Sequence, residues 1–148
     1  MKRQFPLQSI LDLSQLRLDE ATRQLGALIS GQQEAAQRLE LLIQYRQEYQ
    51  DRFLATAKNG IGRDAWHNYQ AFIGRLDDAV AQAREMVAAS EQRTAAGQKE
   101  WLDKRGRLKA FDTLAQRHQS RVVYAESKQE QKDFDEHTAR RHQGKETE

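Results

Sequence analysis

The sequence contains no cysteine. Disulfides, thiolate metal sites and cysteine nucleophiles are thereby excluded, and a reducing cytosol suits such a chain. Its single proline is Pro6, so no proline ring bars helix from Leu7 onward. Apolar residues make up only 38% of the 148 residues and aromatics 7%. That is too little for a thick globular core, but enough for a narrow hydrophobic seam along helices. Valine and isoleucine are sparse, which argues against a sheet. No apolar run approaches the roughly 20 residues needed to span a bilayer. The start, MKRQFPLQSILDLSQ, has no signal-peptide core, because Gln8, Ser9 and Asp12 interrupt it. The expectation is one soluble, cytoplasmic, all-α domain.

Good helix formers dominate: Ala, Gln, Glu, Arg, Lys and Leu. The 24 basic and 22 acidic groups leave a net charge of +2 and are interleaved nearly everywhere. Interleaved signs describe a solvated helix surface. A nucleic-acid surface concentrates its cations on one face. The interval with Arg93, Lys99, Lys104, Arg105, Arg107 and Lys109 comes nearest to that, but Glu91, Glu100 and Asp103 dilute it. No nucleic-acid partner is expected.

Steps of three and four from Leu11 give Leu11, Ser14, Leu18, Ala21, Leu25, Leu28, Gln32, Ala35, Leu39, Leu42, Arg46, Tyr49 and Phe53, and only Ser14, Gln32 and Arg46 break the apolar seam. The same steps run from Trp66 through Tyr69, Ile73, Leu76, Val80, Ala83, Val87, Trp101, Leu108, Phe111, Ala115 and Val122 to Ala125. There the interruptions are a cluster at Ser90, Thr94 and Gly97, read as a thin stretch of seam, and the single positions Lys104 and His118. A sustained 3.5-residue period is the mark of a coiled coil. Gly74, Gly97 and Gly106 each imply modest local stability or close approach of the partner helix.

Between the seams lies ATAKNGIGRD (residues 55–64). Asn59 or Gly60 can take the left-handed conformation that ends a helix, and Asp64 suits the N-cap of the next. The expected fold is therefore a long antiparallel two-helix coiled-coil hairpin. Helix 1 covers about 7–56, the turn about 57–63 and helix 2 about 64–135, followed by a frayed polar tail.

No catalytic motif is present. His137 and His142 are five residues apart and do not share a helix face. The sequence holds no HExxH, GxxxxGK[ST] or GxSxG. A two-helix hairpin offers no rigid pocket for paired acids. The expectation is a non-enzymatic protein with no metal, cofactor or small-molecule substrate.

The aromatic residues cluster around the turn. Trp66, Tyr69 and Ile73 fall on the seam and lock the helices there, together with Asn59, Gly60 and Asp64 at the turn itself. Tyr45 and Phe72 fall just beside the seam. Leu42, Tyr45 and Tyr49 thus widen the apolar stripe on helix 1, as Phe72, Leu76 and Ala79 do on helix 2. Two readings stand on the residues alone. The surplus stripe is a binding surface, or it broadens the core where the helices splay.

Three blocks carry a family resemblance: LLIQYRQEY (41–49), NGI (59–61) and WHNYQAFIGRLDDAV (66–80), with Trp101, Arg105 and Leu108 downstream. In these the chain resembles the flagellar FliJ family. The resemblance implies a soluble component of the flagellar type III export apparatus, peripherally associated with the inner membrane at the flagellar base. It implies a stalk-like coiled coil that binds the export ATPase, promotes its ring assembly and sits in the ring centre. It also implies contact with the export gate membrane protein and with substrate chaperones. The gate surface of the family maps onto Leu42, Tyr45, Tyr49, Phe72, Leu76 and Ala79, with Arg38 and Ala83 at its edges in this sequence. By the same analogy the paired ends, about 5–25 and 105–125, enter the ring, and the C-terminal part meets chaperones. Phe72→Ala with Leu76→Ala is expected to weaken gate binding and leave melting nearly unchanged. The alternatives are a self-associating structural coiled coil and a nucleic-acid-binding helical hairpin.

Overall fold

The structure, a computed structural model, describes residues 4–146. It is all-α: α1 spans Gln8–Ala57 and α2 spans Arg63–Glu146. No strand occurs among the described residues. The two helices pack against each other as an antiparallel hairpin, as the two heptad seams require.

The turn is set by one glycine. Gly60 has φ +86°, a conformation that costs an L side chain energy and glycine little. Its N–H donates to the Ala57 carbonyl at 3.0 Å, which closes α1. Of the two residues expected to turn left-handed, Gly60 does so and Asn59 does not. The Trp66 N–H donates to the Gly62 carbonyl at 3.1 Å, so Gly62 stands at the capping position of α2. Asp64 lies inside the first turn of α2 rather than at the N-cap. There its carboxylate faces the positive end of the helix dipole.

The chain forms two compact units. One comprises Met1–Asp19 with Asp103–Glu148, the other Glu20–Leu102. In the second unit the interhelical partners run in opposite chain directions. Trp101 Nε1–H donates to Thr22 Oγ1 at 2.9 Å, and the Thr94 hydroxyl lies 3.3 Å from the Leu28 carbonyl oxygen. Nearer the turn, Arg46 pairs with Asp77, and Phe53 packs on Tyr69. Small side chains let the helices come close: Ala21, Ala83 and Ser90 are all buried. At Gly97 an added Cβ would stand 2.5 Å from Leu28 Cδ1. The stretch read as thin seam is thus a close approach. The hydroxyls of Ser90 and Thr94 turn back onto the carbonyls of Val87 (2.7 Å) and Ser90 (2.9 Å), which satisfies them without solvent. Gly74 and Gly106 have nothing within 4 Å of such a Cβ, so close approach does not explain them.

In the first unit Val122 is buried, while Leu11, Leu18, Leu108, Phe111 and Ala115 are half-buried. His118 occupies a seam position with its ring centroid 5.6 Å from that of Phe5. Its Nε2 is buried without a hydrogen-bond partner. The second helix is expected to end near 135 in a frayed polar tail, whereas α2 continues to Glu146. Strong helix formers and side-chain pairs such as Gln129–Asp133, 3.1 Å apart, suit that continuation.

The interleaved charges form the expected solvated surface. Gln8–Asp12, Gln15–Asp19, Gln47–Asp51 and Gln116–Asp112 are hydrogen-bonded i,i+4 pairs on exposed faces. Each stabilises an isolated helix by only about 0.2–0.5 kcal/mol. Seam packing therefore carries the fold.

Candidate partner-binding surface

The rings near the turn form one connected set within the second unit. Phe53 stacks on Tyr69 at a centroid distance of 3.7 Å with 8° between planes. Tyr69 lies nearly parallel to Tyr49 at 5.8 Å. Tyr49 meets Phe72 at 4.4 Å, and Tyr45 and Phe72 form a T-shaped pair at 6.4 Å and 81°. Trp66 caps the other end, 6.0 Å from Phe53 and 5.9 Å from Tyr69. Such pairs add about 0.5–1.5 kcal/mol each beyond area burial.

This arrangement follows from helical spacing. Tyr45, Tyr49 and Phe53 recur every fourth residue on α1. On α2, Trp66, Tyr69 and Phe72 recur every third. Both spacings put side chains on one helix face. The two rows face each other because the turn folds α2 back along α1.

Burial falls along the set. Tyr69 is 9% exposed and Leu76 8%, whereas Tyr45 is 48% exposed. Leu42, Tyr49, Phe72, Ile73 and Ala79 are half-buried. The structure thus brings all six residues of the expected surface to one neighbourhood, but they differ in kind. Leu76 is core. The expectation that Leu76→Ala spares melting fails on this burial, since a buried leucine cut to alanine costs about 2–5 kcal/mol. Tyr45 is the most exposed of the six, with its ring against Phe72. Trp66, expected to lock the helices, lies beside Phe53 and Tyr69 and remains 43% exposed.

Charges flank the rings. The Arg75 guanidinium carbon lies 5.8 Å from the centroid of Phe72, a cation–π arrangement. Arg46, which breaks the α1 seam in the sequence, reaches across to Asp77 and also lies 3.3 Å from Gln50 Oε1. Its hydrogen bond to Asp77, with the carboxylate charge adding, raises its pKa above the ordinary arginine value against the opposing effect of burial. Neither Arg75 nor the Arg46–Asp77 bridge was identified as part of this surface from the sequence. A signal for the bridge was present: a cation at a seam position, with an acid at the matching height on the other helix.

Leu41, one turn before Tyr45 on α1, is also exposed, by 65%. The local surface therefore combines open apolar area, fixed rings and paired charge. It contains no enclosed chemistry. It suits recognition of a protein, where aromatic and arginine anchors dominate binding energy.

The profile of the flagellar FliJ protein family matches residues 2–147. The chain is 35% identical to the flagellar FliJ protein of Salmonella typhi over 134 residues, covering 90% of this chain and 91% of that protein. Against the flagellar FliJ protein of Escherichia coli (strain K12) it is 33% identical over 134 residues, with the same coverage of 90% and 91%. With the profile spanning nearly every residue and these identities extending across both helices and the turn, this chain belongs to the flagellar FliJ family.

Proposed function

We propose that this protein works as the stalk-like coiled coil of the flagellar type III export apparatus. In that reading it binds the export ATPase, promotes ring assembly and sits in the ring centre. It contacts the cytoplasmic part of the export gate membrane protein, and it handles substrate chaperones. The working place is the cytoplasmic side of the inner membrane at the flagellar base. Membership of the FliJ family supports the coarse part, a component of the flagellar export apparatus.

One observation supports the gate contact. Tyr45 is 48% exposed, yet its ring makes a T-shaped contact with Phe72, which Tyr49 meets in turn. An exposed aromatic that is already ordered loses little entropy on binding. Leu42, Tyr49, Phe72, Leu76 and Ala79 supply its bed. Arg75 and Arg46 provide charge at its border. For chaperones, Tyr124 (68% exposed) and Phe134 (69% exposed) are open aromatics on the C-terminal part of α2 and support a contact there.

Tyr45→Ala separates binding from folding. The variant is expected to melt within about 1 kcal/mol of the parent, since surface exchanges are usually small. Its affinity for the cytoplasmic part of the gate protein should drop about tenfold or more, in the range of an interface hot spot. Calorimetric titration with the purified gate fragment reads this directly. Unchanged affinity would remove the gate role from this surface.

A further inference from the structure

In the first unit the seam is poorly filled at one height. Ser14 and Lys104 both occupy seam positions there, and neither fills apolar volume. A lysine at such a place lays its alkyl stem along the groove and sends its ammonium to water. The result is an open groove of about 360 Å³. Ile10, Leu13 and Phe111 supply its apolar walls, and Arg17, Lys104 and Arg107 supply its charges. Ile10 is 42% exposed and Leu13 44%. Every charged residue lining the groove is a cation. Arg107 also lies 3.6 Å from the Asp103 carboxylate in an exposed i,i+4 pair, a contact weak enough to be exchanged.

We infer that this groove docks an acidic amphipathic segment of a protein partner. Apolar side chains of that segment enter between Ile10, Leu13 and Phe111, and its carboxylates meet Arg17, Lys104 and Arg107. Guanidinium groups bind carboxylates as a planar fork, which orients the segment as well as attracting it. A lipid surface fits less well. The groove is concave, set between the two helices. Binding in a membrane surface favours a clean basic face with a projecting apolar one. The inference deepens the stalk reading, on which it rests in taking this end of the protein to engage a partner. It adds the chemistry by which that end would be gripped.

The test uses the full-length protein and a labelled synthetic peptide followed by fluorescence anisotropy. The peptide is helical, with leucines along one face and glutamates flanking them. Saturable binding is expected, weakened by added salt because the charges are exposed. The double variant Arg17→Glu, Arg107→Glu alters exposed side chains and should retain the parent's circular dichroism. It should bind the peptide at least tenfold more weakly. Leu13→Ala should weaken binding several-fold, and a peptide with lysines for glutamates should not bind. Three results would each overturn the inference. The first is no saturable binding, or equal binding by the double variant. The second is binding to phosphatidylglycerol vesicles that depends on Arg17 and Arg107 while the peptide does not bind, which assigns the groove to lipid. The third is a concentration-dependent dimer of the protein alone that the double variant abolishes, which assigns it to a second copy. No ATPase is present in this titration, so the groove can fail while ATPase stimulation stands, and the reverse.

Discussion

Gly97 and Gly106 are both helix glycines on α2, yet alanine at each has a different expected effect. Alanine gains about 1 kcal/mol of helix propensity over glycine. At Gly106 nothing opposes that gain, so Gly106→Ala should raise the melting temperature in a circular-dichroism melt. At Gly97 the new methyl meets Leu28 Cδ1 at 2.5 Å. That methyl can swing away at a cost of about 0.5–1.5 kcal/mol, so Gly97→Ala should come out near neutral and Gly97→Val should lower stability. His118 presents the converse case. Its buried Nε2 has no partner, and such a group costs about 1–3 kcal/mol. His118→Leu keeps an apolar contact with Phe5 and should raise stability by about 1 kcal/mol. A fall would mean that the nitrogen is satisfied in solution. Arg46→Leu restores the heptad at the α1 seam. Asp77 is 51% exposed at its side chain and stays solvated when its partner is removed, so melting should not fall. The raised Arg46 pKa implies stability fully present below the ordinary arginine value and lost only above the raised one. Arg46 itself therefore adds no pH dependence near neutrality.

At the scale of helices, the two seams were legible in full. Every seam residue counted from Leu11 to Phe53 and from Trp66 to Ala125 is buried or half-buried, apart from Trp66. Period alone fixes which side of a helix meets its partner, and no competing interaction disturbs that. Three features needed the structure. Gly62 takes the capping position because the first α2 hydrogen bond starts there, one turn before Trp66. α2 runs on past its seam to Glu146, since helix propensity persists after apolar spacing ends. The aromatic surface divides into core and open edge, a division that depends on ring contacts between helices rather than on spacing within either. Tyr69→Ala should therefore cost about 3 kcal/mol or more, as the stacked centre of the set is lost. Tyr45→Ala at its open edge should cost little. Equal losses for the two in chemical denaturation would contradict the division drawn between them.

For the whole molecule, the sequence carried the family and the all-α hairpin, because the blocks at 41–49, 59–61 and 66–80 lie on the turn and the aromatic rows. It did not carry the cation-lined groove at Ile10, Leu13 and Phe111. That groove arises from two unfilled seam positions meeting on different helices, and neither is unusual alone. Among the described residues no helix is long and apolar enough to cross a membrane. The stalk role proposed for this hairpin stands or falls with its effect on the export ATPase. ATP hydrolysis and ring formation by the cognate flagellar export ATPase, measured with and without the protein, read that effect. Faster hydrolysis and assembled rings at substoichiometric amounts are the expected result. An active ATPase that neither speeds up nor assembles in the presence of the folded protein would contradict the stalk role.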